Sequence, residues 1–269
     1  MSWNEGRVAP PVLRAETRLA LSLPETPMRL DTLSALNAER AARRPALIVT
    51  DPADGGQRLV RAAEIDADPL APLLRERLRS GRSGLDEGPD GRPVFVAIHV
   101  PPVRFVVIGA VHISQALVPL ASQLGLDLTV IDPRTAFASP ERFPGVRLIA
   151  EWPDKALDKI GPLDAYTALA ALTHDPKIDD PALVAALHAD CAYIGALGSR
   201  KTHARRVERL QAAGFDEAAI GRIHAPIGLD IGAVSPAEIA LSILAQLVAT
   251  LRQDRIKAPI RGPDAAAGR

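Results

Sequence analysis

The sequence predicts an α/β protein in which a doubly wound parallel sheet follows a smaller N-terminal α/β unit. Two observations carry that expectation. After the Pro101 and Pro102 pair, short apolar runs alternate with segments of helical period, the pattern of a parallel sheet with crossover helices. Before it, residues 81–93 are dense in glycine, proline and charge and set this region apart from an earlier stretch of different pattern. The expected organisation is a small α/β domain at 1–100, the doubly wound domain at 101–254, and a flexible tail at 255–269, where the text turns polar and proline-bearing.

In the first domain, helical spacing runs through 30–44 and an apolar strand through 45–50. Asp54, Gly55 and Gly56 signal a turn, and 57–62 is the returning strand. Residues 81–93 read as a loop or linker. Beyond Pro102, strands are expected near 104–108, 126–131, 146–149, 165–172 and 192–194, with helices between and after them. Ser199 is placed to cap a helix over 200–213. Ser235, Pro236, Ala237 and Glu238 form a capping box with proline at the first helical position, opening a helix that runs to Arg252.

The first of the later strands is followed by Gly109, Ala110, Val111, His112, Ile113 and Ser114, then a helix, a strand and Asp132, close to the roughly 20-residue spacing of a nucleotide-binding Rossmann unit. Val111 stands where a second glycine lets the backbone approach a pyrophosphate, and its branched side chain disfavours NAD(P). A Rossmann-like scaffold without ordinary dinucleotide binding is the preferred reading. In such a sheet, ligands gather beyond the carboxyl ends of the strands where strand order reverses. Four groups are expected there: Gly109 to His112, Asp132, the run Thr173, His174 and Asp175, and the turn from Gly195 to His203. Each has a structural alternative. His112 caps its helix, His174 and Asp175 only start the turn at Pro176, and Asp132 bonds Arg134 or a turn amide instead of a ligand.

The richest motif is Tyr193-Ile-Gly-Ala-Leu-Gly-Ser-Arg-Lys-Thr-His203. Gly195 and Gly198 give the backbone a turn, and Ser199 opens a helix whose first amides point outward. A helix N-terminus favours negative charge by about 0.3–1 kcal/mol. Arg200, Lys201, His203, Arg205 and Arg206 at such a mouth therefore suit a bound anion, although a solvated basic helix face fits the same text. A second motif, from Ile223 and His224 through Gly228 and Asp230 to Ala233, again joins glycine turns to polar groups.

Composition narrows the function classes. The chain has 269 residues, 47% of them hydrophobic, enough for a substantial core. Lys plus Arg and Asp plus Glu number 32 each, and aromatics are 3%, which argues against a nucleic-acid partner. A single cysteine, Cys191, precludes an internal disulfide and fits a reducing compartment. The opening residues from Met1 to Gly6 lack a charged-then-apolar leader, and no apolar run approaches the roughly 18 residues of a membrane span. A cytoplasmic protein without membrane contact is expected. The six histidines, His99, His112, His174, His188, His203 and His224, lack zinc-site spacing, so no metal site is expected. Neither a nucleophile elbow nor a phosphate-loop ending follows Gly195.

Three motifs in order, Thr173-His-Asp-Pro-Lys-Ile-Asp-Asp180, Tyr193 to His203 and Ile223 to Ala233, resemble the C-terminal domain of the XdhC/CoxI family, the maturation factors of xanthine-dehydrogenase-type molybdenum hydroxylases. The likeness spans 103–252. It implies a Rossmann-like domain beside a smaller N-terminal domain, in a chaperone and not a catalyst. Such a protein binds molybdenum cofactor (molybdopterin) as cargo, protects it while an oxo ligand is exchanged for sulfido, and delivers it to an apo-molybdoenzyme of the xanthine dehydrogenase, aldehyde oxidase or CO dehydrogenase type. A cysteine desulfurase or a second XdhC-like protein are further implied partners, and a homodimer is the base-rate assembly.

Carried onto this chain, the cofactor-binding set is Gly109, His112, Asp132, His174, Asp175, Gly198, Ser199, Arg200, Lys201, His224, Gly228 and Asp230, with no catalytic residue. Arg200 and Lys201 suit the terminal phosphate, and Asp230 with the backbone of Gly228 and Gly232 suits the pterin edge. Two departures mark a divergent member. The Gly-Ser-Ala-Pro-Arg-like and Ser-Gly-Gly-Cys-like stretches of the family's N-terminal domain are absent before Val100, where 47–60 looks like a shortened relative, and Val111 replaces the usual glycine. Cys191, at the start of a buried strand, is a poor substitute for the missing cysteine. Two other functions stay open: an NAD(P)-dependent oxidoreductase, and a non-binding scaffold for molybdoenzyme maturation.

Overall fold

The computed structural model describes residues 27–254. The tail expected at 255–269 and the opening residues 1–6 lie outside the described residues.

The N-terminal part runs through helix α1 (Leu30–Ala41), strands β1 (Ala46–Thr50) and β2 (Gln57–Arg61), a 3-10 turn at Ala62–Ala67, helix α2 (Ala71–Ser80), and strands β3 (Gly84–Glu87) and β4 (Pro93–His99). These strands form an antiparallel sheet in the order β2-β1-β4-β3. Strand β1 is buried on both faces, which suits its unbroken Ala-Leu-Ile-Val text. Leu47 and Val49 pack with Leu74 of α2, whereas Ala46 and Ile48 pack with Leu36 of α1.

Residues 81–93 are not the linker expected from their composition. They hold β3, an edge strand whose Leu85 pairs with Phe95. Gly81, at φ 64, ends α2 in the left-handed region, and the amide of Gly88 donates to Arg92 O at 2.8 Å to close the hairpin. The glycines and charges are the turn chemistry and polar face of an edge hairpin.

The second sheet is built from β5 (Arg104–Ile108), β6 (Asp127–Ile131), β7 (Arg147–Ile149), β8 (Thr167–Ala171), β9 (Tyr193–Ala196) and β10 (Ile223–His224). All neighbours are parallel, in the order β10-β9-β8-β5-β6-β7. This is the doubly wound Rossmann arrangement, with order reversing between β5 and β8. Most observed bounds lie close to those expected, but β10 has no counterpart in the sequence reading, since two residues leave no periodic signal. Helices α3 (His112–Gln123) and α8 (Pro236–Asp254) cover one face; α4 (Pro153–Ile160), α5 (Pro176–His188), α6 (Arg200–Ala212) and the short α7 (Glu217–Ile220) belong to the other. Phe105, Val107 and Val130 face Leu117 and Leu247, while Val106, Ile108 and Ile194 face Leu183 and Leu210. Burial on both faces accounts for strands that are apolar throughout. The box at the start of α8 is present: Glu238 Oε2 accepts from the amides of Val234 and Ser235, each at 2.8 Å.

Candidate functional site: the strand-tip rim

The reversal of strand order puts the tips of β5 and β8 side by side. Gly109 has φ +114, which L side chains rarely adopt, and a Cβ there would lie 2.9 Å from Thr173 Cγ2 and 3.3 Å from Thr173 N. Glycine is what lets the two loops touch. On the other side of β5, the amide of Ala110 donates to Asp132 Oδ2 at 2.8 Å. Asp132, wholly buried, also accepts from Arg134 N and Nε, both at 2.9 Å, and from Arg134 Nη2 at 2.7 Å. Burial works to raise its pKa, but the Arg134 side chain and the two amides outweigh that and hold it below the usual carboxylate value.

The β8 tip is shaped from α5. Asp179, 1% exposed, accepts from Thr173 Oγ1 at 2.8 Å and Thr173 N at 3.3 Å on one oxygen, and from His174 N at 3.0 Å on the other. Burial pushes the Asp179 carboxyl above its ordinary pKa despite these donors. The clamp holds His174 at φ +64, with its side chain exposed. Its Nδ1 lies 3.8 Å from where a Cβ on Gly198 would stand, so the β8 and β9 tips also meet.

Three helices begin on this rim. Asp175 caps α5 by accepting from Lys177 N at 2.9 Å, and Ser199 caps α6 by accepting from Thr202 N at 3.2 Å. At α3 the cap position is Val111, without a side-chain bond, and His112 is exposed at the first helical position. Three N-termini facing one rim give it a positive field suited to an anion.

On the dinucleotide face, Arg142 and Arg134 bond the loops after β5 and β6. Arg142 Nη1 donates to Ala110 O at 3.1 Å and Phe137 O at 2.8 Å, its Nη2 donates to Gln115 Oε1 at 3.0 Å, and the Arg134 guanidinium lies 4.6 Å from the centre of the Phe137 ring. The carboxylate that would take a ribose is thus occupied, and Val111 packs against the α3–α8 core. Titration with the four nicotinamide nucleotides is therefore expected to show no micromolar binding; a micromolar dissociation constant for any of them would contradict this geometry.

The sequence profile of the XdhC Rossmann domain matches residues 105–247, more than half of the chain. The chain belongs to the XdhC family. It is 34% identical over 179 residues to the uncharacterized protein YqeB of Escherichia coli (strain K12), covering 63% of this chain and 32% of that protein. To the molybdenum cofactor insertion chaperone PaoD of the same organism it is 32% identical over 152 residues, 56% of this chain and 41% of PaoD. To a probable xanthine dehydrogenase subunit of Bacillus subtilis (strain 168) it is 29% identical over 161 residues, 60% of this chain and 46% of that protein. The chain thus spans less than half the length of these curated relatives. A crystal structure described as a xanthine dehydrogenase from Bacillus halodurans shares the fold, with a TM-score of 0.59 at 24% identity over 87% of this chain and 66% of that one.

Within this XdhC domain, the fold brings Gly109, Asp132, His174 and Gly198 into one run of touching loops, flanked by the caps Asp175 and Ser199. Lys201 lines a cleft of about 420 Å³ between α5 and α6, together with His174. Arg200 is exposed and lies outside that cleft. The loop after β10 is bound to α8. His224 stacks on Tyr193 with ring centres 5.0 Å apart, and the amide of Gly228 donates to Gln246 Oε1 at 2.9 Å while its carbonyl accepts from Gln246 Nε2 at 3.1 Å. Asp230 is exposed. Cys191 is a buried thiol pushed up to about 12, chiefly by burial, which makes it unreactive at neutral pH. Among the described residues no three His, Cys, Asp or Glu side chains gather as a metal site, and no helix is long and apolar enough to cross a membrane.

Sequence reasoning named Arg134 as an alternative partner of Asp132, did not single out Asp179 or Arg142, and took Arg206 only as one cation among several. A signal existed for Arg206. It shares the stripe of α6 that carries buried Leu210, and a cation on an apolar stripe is out of place unless something answers its charge.

Proposed function

We propose that this chain is a molybdenum cofactor chaperone that holds molybdopterin at the strand-tip rim, keeps it during sulfuration, and hands it to an apo-molybdoenzyme of the xanthine dehydrogenase, aldehyde oxidase or CO dehydrogenase type. The observation that carries this reading is the contact chain Asp132–Ala110, Gly109–Thr173 and His174–Gly198, which gathers four strand tips at the reversal point in a chain of the XdhC family. Kinship with PaoD, named as an insertion chaperone for this cofactor, supports the cargo.

The division of labour follows from the chemistry of the cargo. A terminal phosphate calls for charge-assisted donors, which Arg200, Lys201 and the α6 N-terminus supply. His112 and His174, both exposed, are the assigned partners beside the crevice, and exposed Asp230 with the Gly232 backbone is assigned to the pterin edge. Sulfur comes from outside, from a cysteine desulfurase or a second XdhC-like protein, because Cys191 is buried. A cytoplasmic homodimer that makes and breaks no bond with its own residues completes the proposal.

Replacing Arg200 and Lys201 together with alanine removes two such donors, each worth about 1.5–3 kcal/mol. Retained cofactor in a transfer assay is expected to fall at least about tenfold, with Lys201 contributing the larger share because it faces the cleft. Unchanged retention would remove the phosphate assignment.

A further inference from the structure

Arg206 is the largest fully buried side chain in the described chain, 2% exposed. Its Nη2 donates to Leu197 O at 3.1 Å, yet its Nε and Nη1 are buried with no hydrogen-bond partner. No carboxylate lies within ion-pair distance of it among the described residues. Asp179 attracts it through space, but the Asp179 oxygens are taken by the Thr173–His174 turn. Asp180, the other carboxylate nearby, is bonded to Arg209, with Nη2 to Oδ1 at 3.1 Å. A guanidinium with two unanswered nitrogens out of water is costly, and such groups are normally paired.

Arg206 does not sit in a closed core. It lines the cleft of about 420 Å³ between the first turns of α5 and α6. Lys201 and Arg205, both exposed, line the same cleft, and neither side chain forms an ion pair among the described residues. Two 13-residue helices begin at its upper edge, so two positive dipole ends add to Lys201, Arg205 and Arg206; of the other charges in the lining, Arg209 is paired with Asp180, and Asp179 is held by the Thr173–His174 turn.

We propose that this cleft is a binding site for a phosphate monoester, with Arg206 as its floor and Arg205 and Lys201 as its walls. A tetrahedral dianion presents enough acceptors to meet an unpartnered guanidinium N–H of Arg206 and both wall cations together, which a single carboxylate does not. The volume leaves room for part of the esterified group. The site lies between α5 and α6 and shares His174 and Lys201 with the strand-tip rim, and it stands on the orphaned guanidinium whether or not the rim carries a pterin.

The test is calorimetric titration of the full chain with inorganic phosphate at low ionic strength, for the wild type, Arg206→Gln, Arg205→Ala, and Lys155→Ala as an exposed control on α4. Phosphate should bind the wild type and Lys155→Ala alike, at least tenfold more weakly to Arg206→Gln, and several-fold more weakly to Arg205→Ala. Should Arg206→Gln fail to fold, exposed Arg205→Ala decides, since phosphate should raise the wild-type unfolding temperature more than that of this variant. Two sources of the phosphate are separable in Arg206→Gln purified anaerobically: loss of pterin with phosphate affinity assigns the site to the cargo's own phosphate, and retained pterin assigns it to a separate phosphorylated ligand. A wild type that binds phosphate while never carrying pterin would sink the chaperone reading and leave this site standing. No phosphate binding by the wild type, or equal binding by Arg206→Gln and Arg205→Ala, would overturn the proposal.

Discussion

Replacing Asp179 with alanine should destabilise the protein by about 3–5 kcal/mol, as read from the shift of its urea unfolding midpoint. The carboxylate accepts from Thr173 N, Thr173 Oγ1 and His174 N, and none of these donors has another acceptor in reach once it is gone, apart from the long bond of Thr173 Oγ1 to Asp175 O at 3.5 Å. Each of these half-buried donors left unmade costs up to about 1–3 kcal/mol. Arg206 also loses the one carboxylate whose field offsets its burial most strongly. The alanine variant escapes the cost of burying an ionised carboxyl, which is why the expected total is below the sum of the parts. Asp179→Asn keeps one acceptor but turns an amide NH₂ toward the His174 amide, so a smaller loss of about 1–3 kcal/mol is expected. Hydrogen exchange at His174 should quicken in both variants. A loss below about 1 kcal/mol for alanine would mean that the turn holds its shape without the clamp.

Gly228→Ala should cost about 3 kcal/mol or more, seen as a lower thermal midpoint and a loosened α8. Gly228 sits at φ +94, and a Cβ there would stand 2.3 Å from Ser242 Oγ, 3.2 Å from Ser242 Cβ and 3.3 Å from the backbone N of Ile243. Backbone strain and overpacking therefore act together. The loop has little room to retreat, because Gln246 bonds both the amide and the carbonyl of Gly228, and the amide of Leu229 donates to Ser242 O at 3.1 Å. Moving away would break those bonds and unseat Ile227 from the α3–α8 core. Adding Ser242→Ala removes the worst contact and should restore part of the loss, not all, since the Cβ contact and the φ strain persist. Full tolerance of Gly228→Ala alone would show that the loop and α8 are not locked as described.

What the sequence made legible was local. Ser199, Ser235 and Glu238 announce helix starts because a cap and its amide lie within a few residues of each other. The strands of the parallel sheet stand out as apolar runs because both of their faces are covered. Strand β3 did not stand out, since an edge strand with Leu85 as its sole large apolar residue carries the glycine and charge of a loop. At the rim, Gly109 and Asp132 follow from spacing, but whether Asp132 serves a ligand or Arg134 depends on a side-chain geometry that spacing does not encode; here it bonds Arg134 and Ala110. The Asp179 clamp joins positions 173, 174 and 179 through a turn no periodic pattern describes. His224 on Tyr193 and Gly228 on α8 are pairings across long stretches of chain, so a histidine and a glycine that read as ligand groups in the text also pack, one on the ring of a neighbouring strand and the other against a helix.

The proposed cargo of the strand-tip rim in this XdhC-family chain is molybdenum cofactor. It is tested most directly by anaerobic purification of the full chain from cells making the cofactor, with pterin measured by fluorescence after oxidation and molybdenum by elemental analysis. Pterin and molybdenum are expected in equal amounts on the wild-type protein, released when an apo-molybdoenzyme is added and much reduced by Arg200→Ala with Lys201→Ala. A folded wild-type protein that carries neither pterin nor molybdenum under these conditions would contradict it.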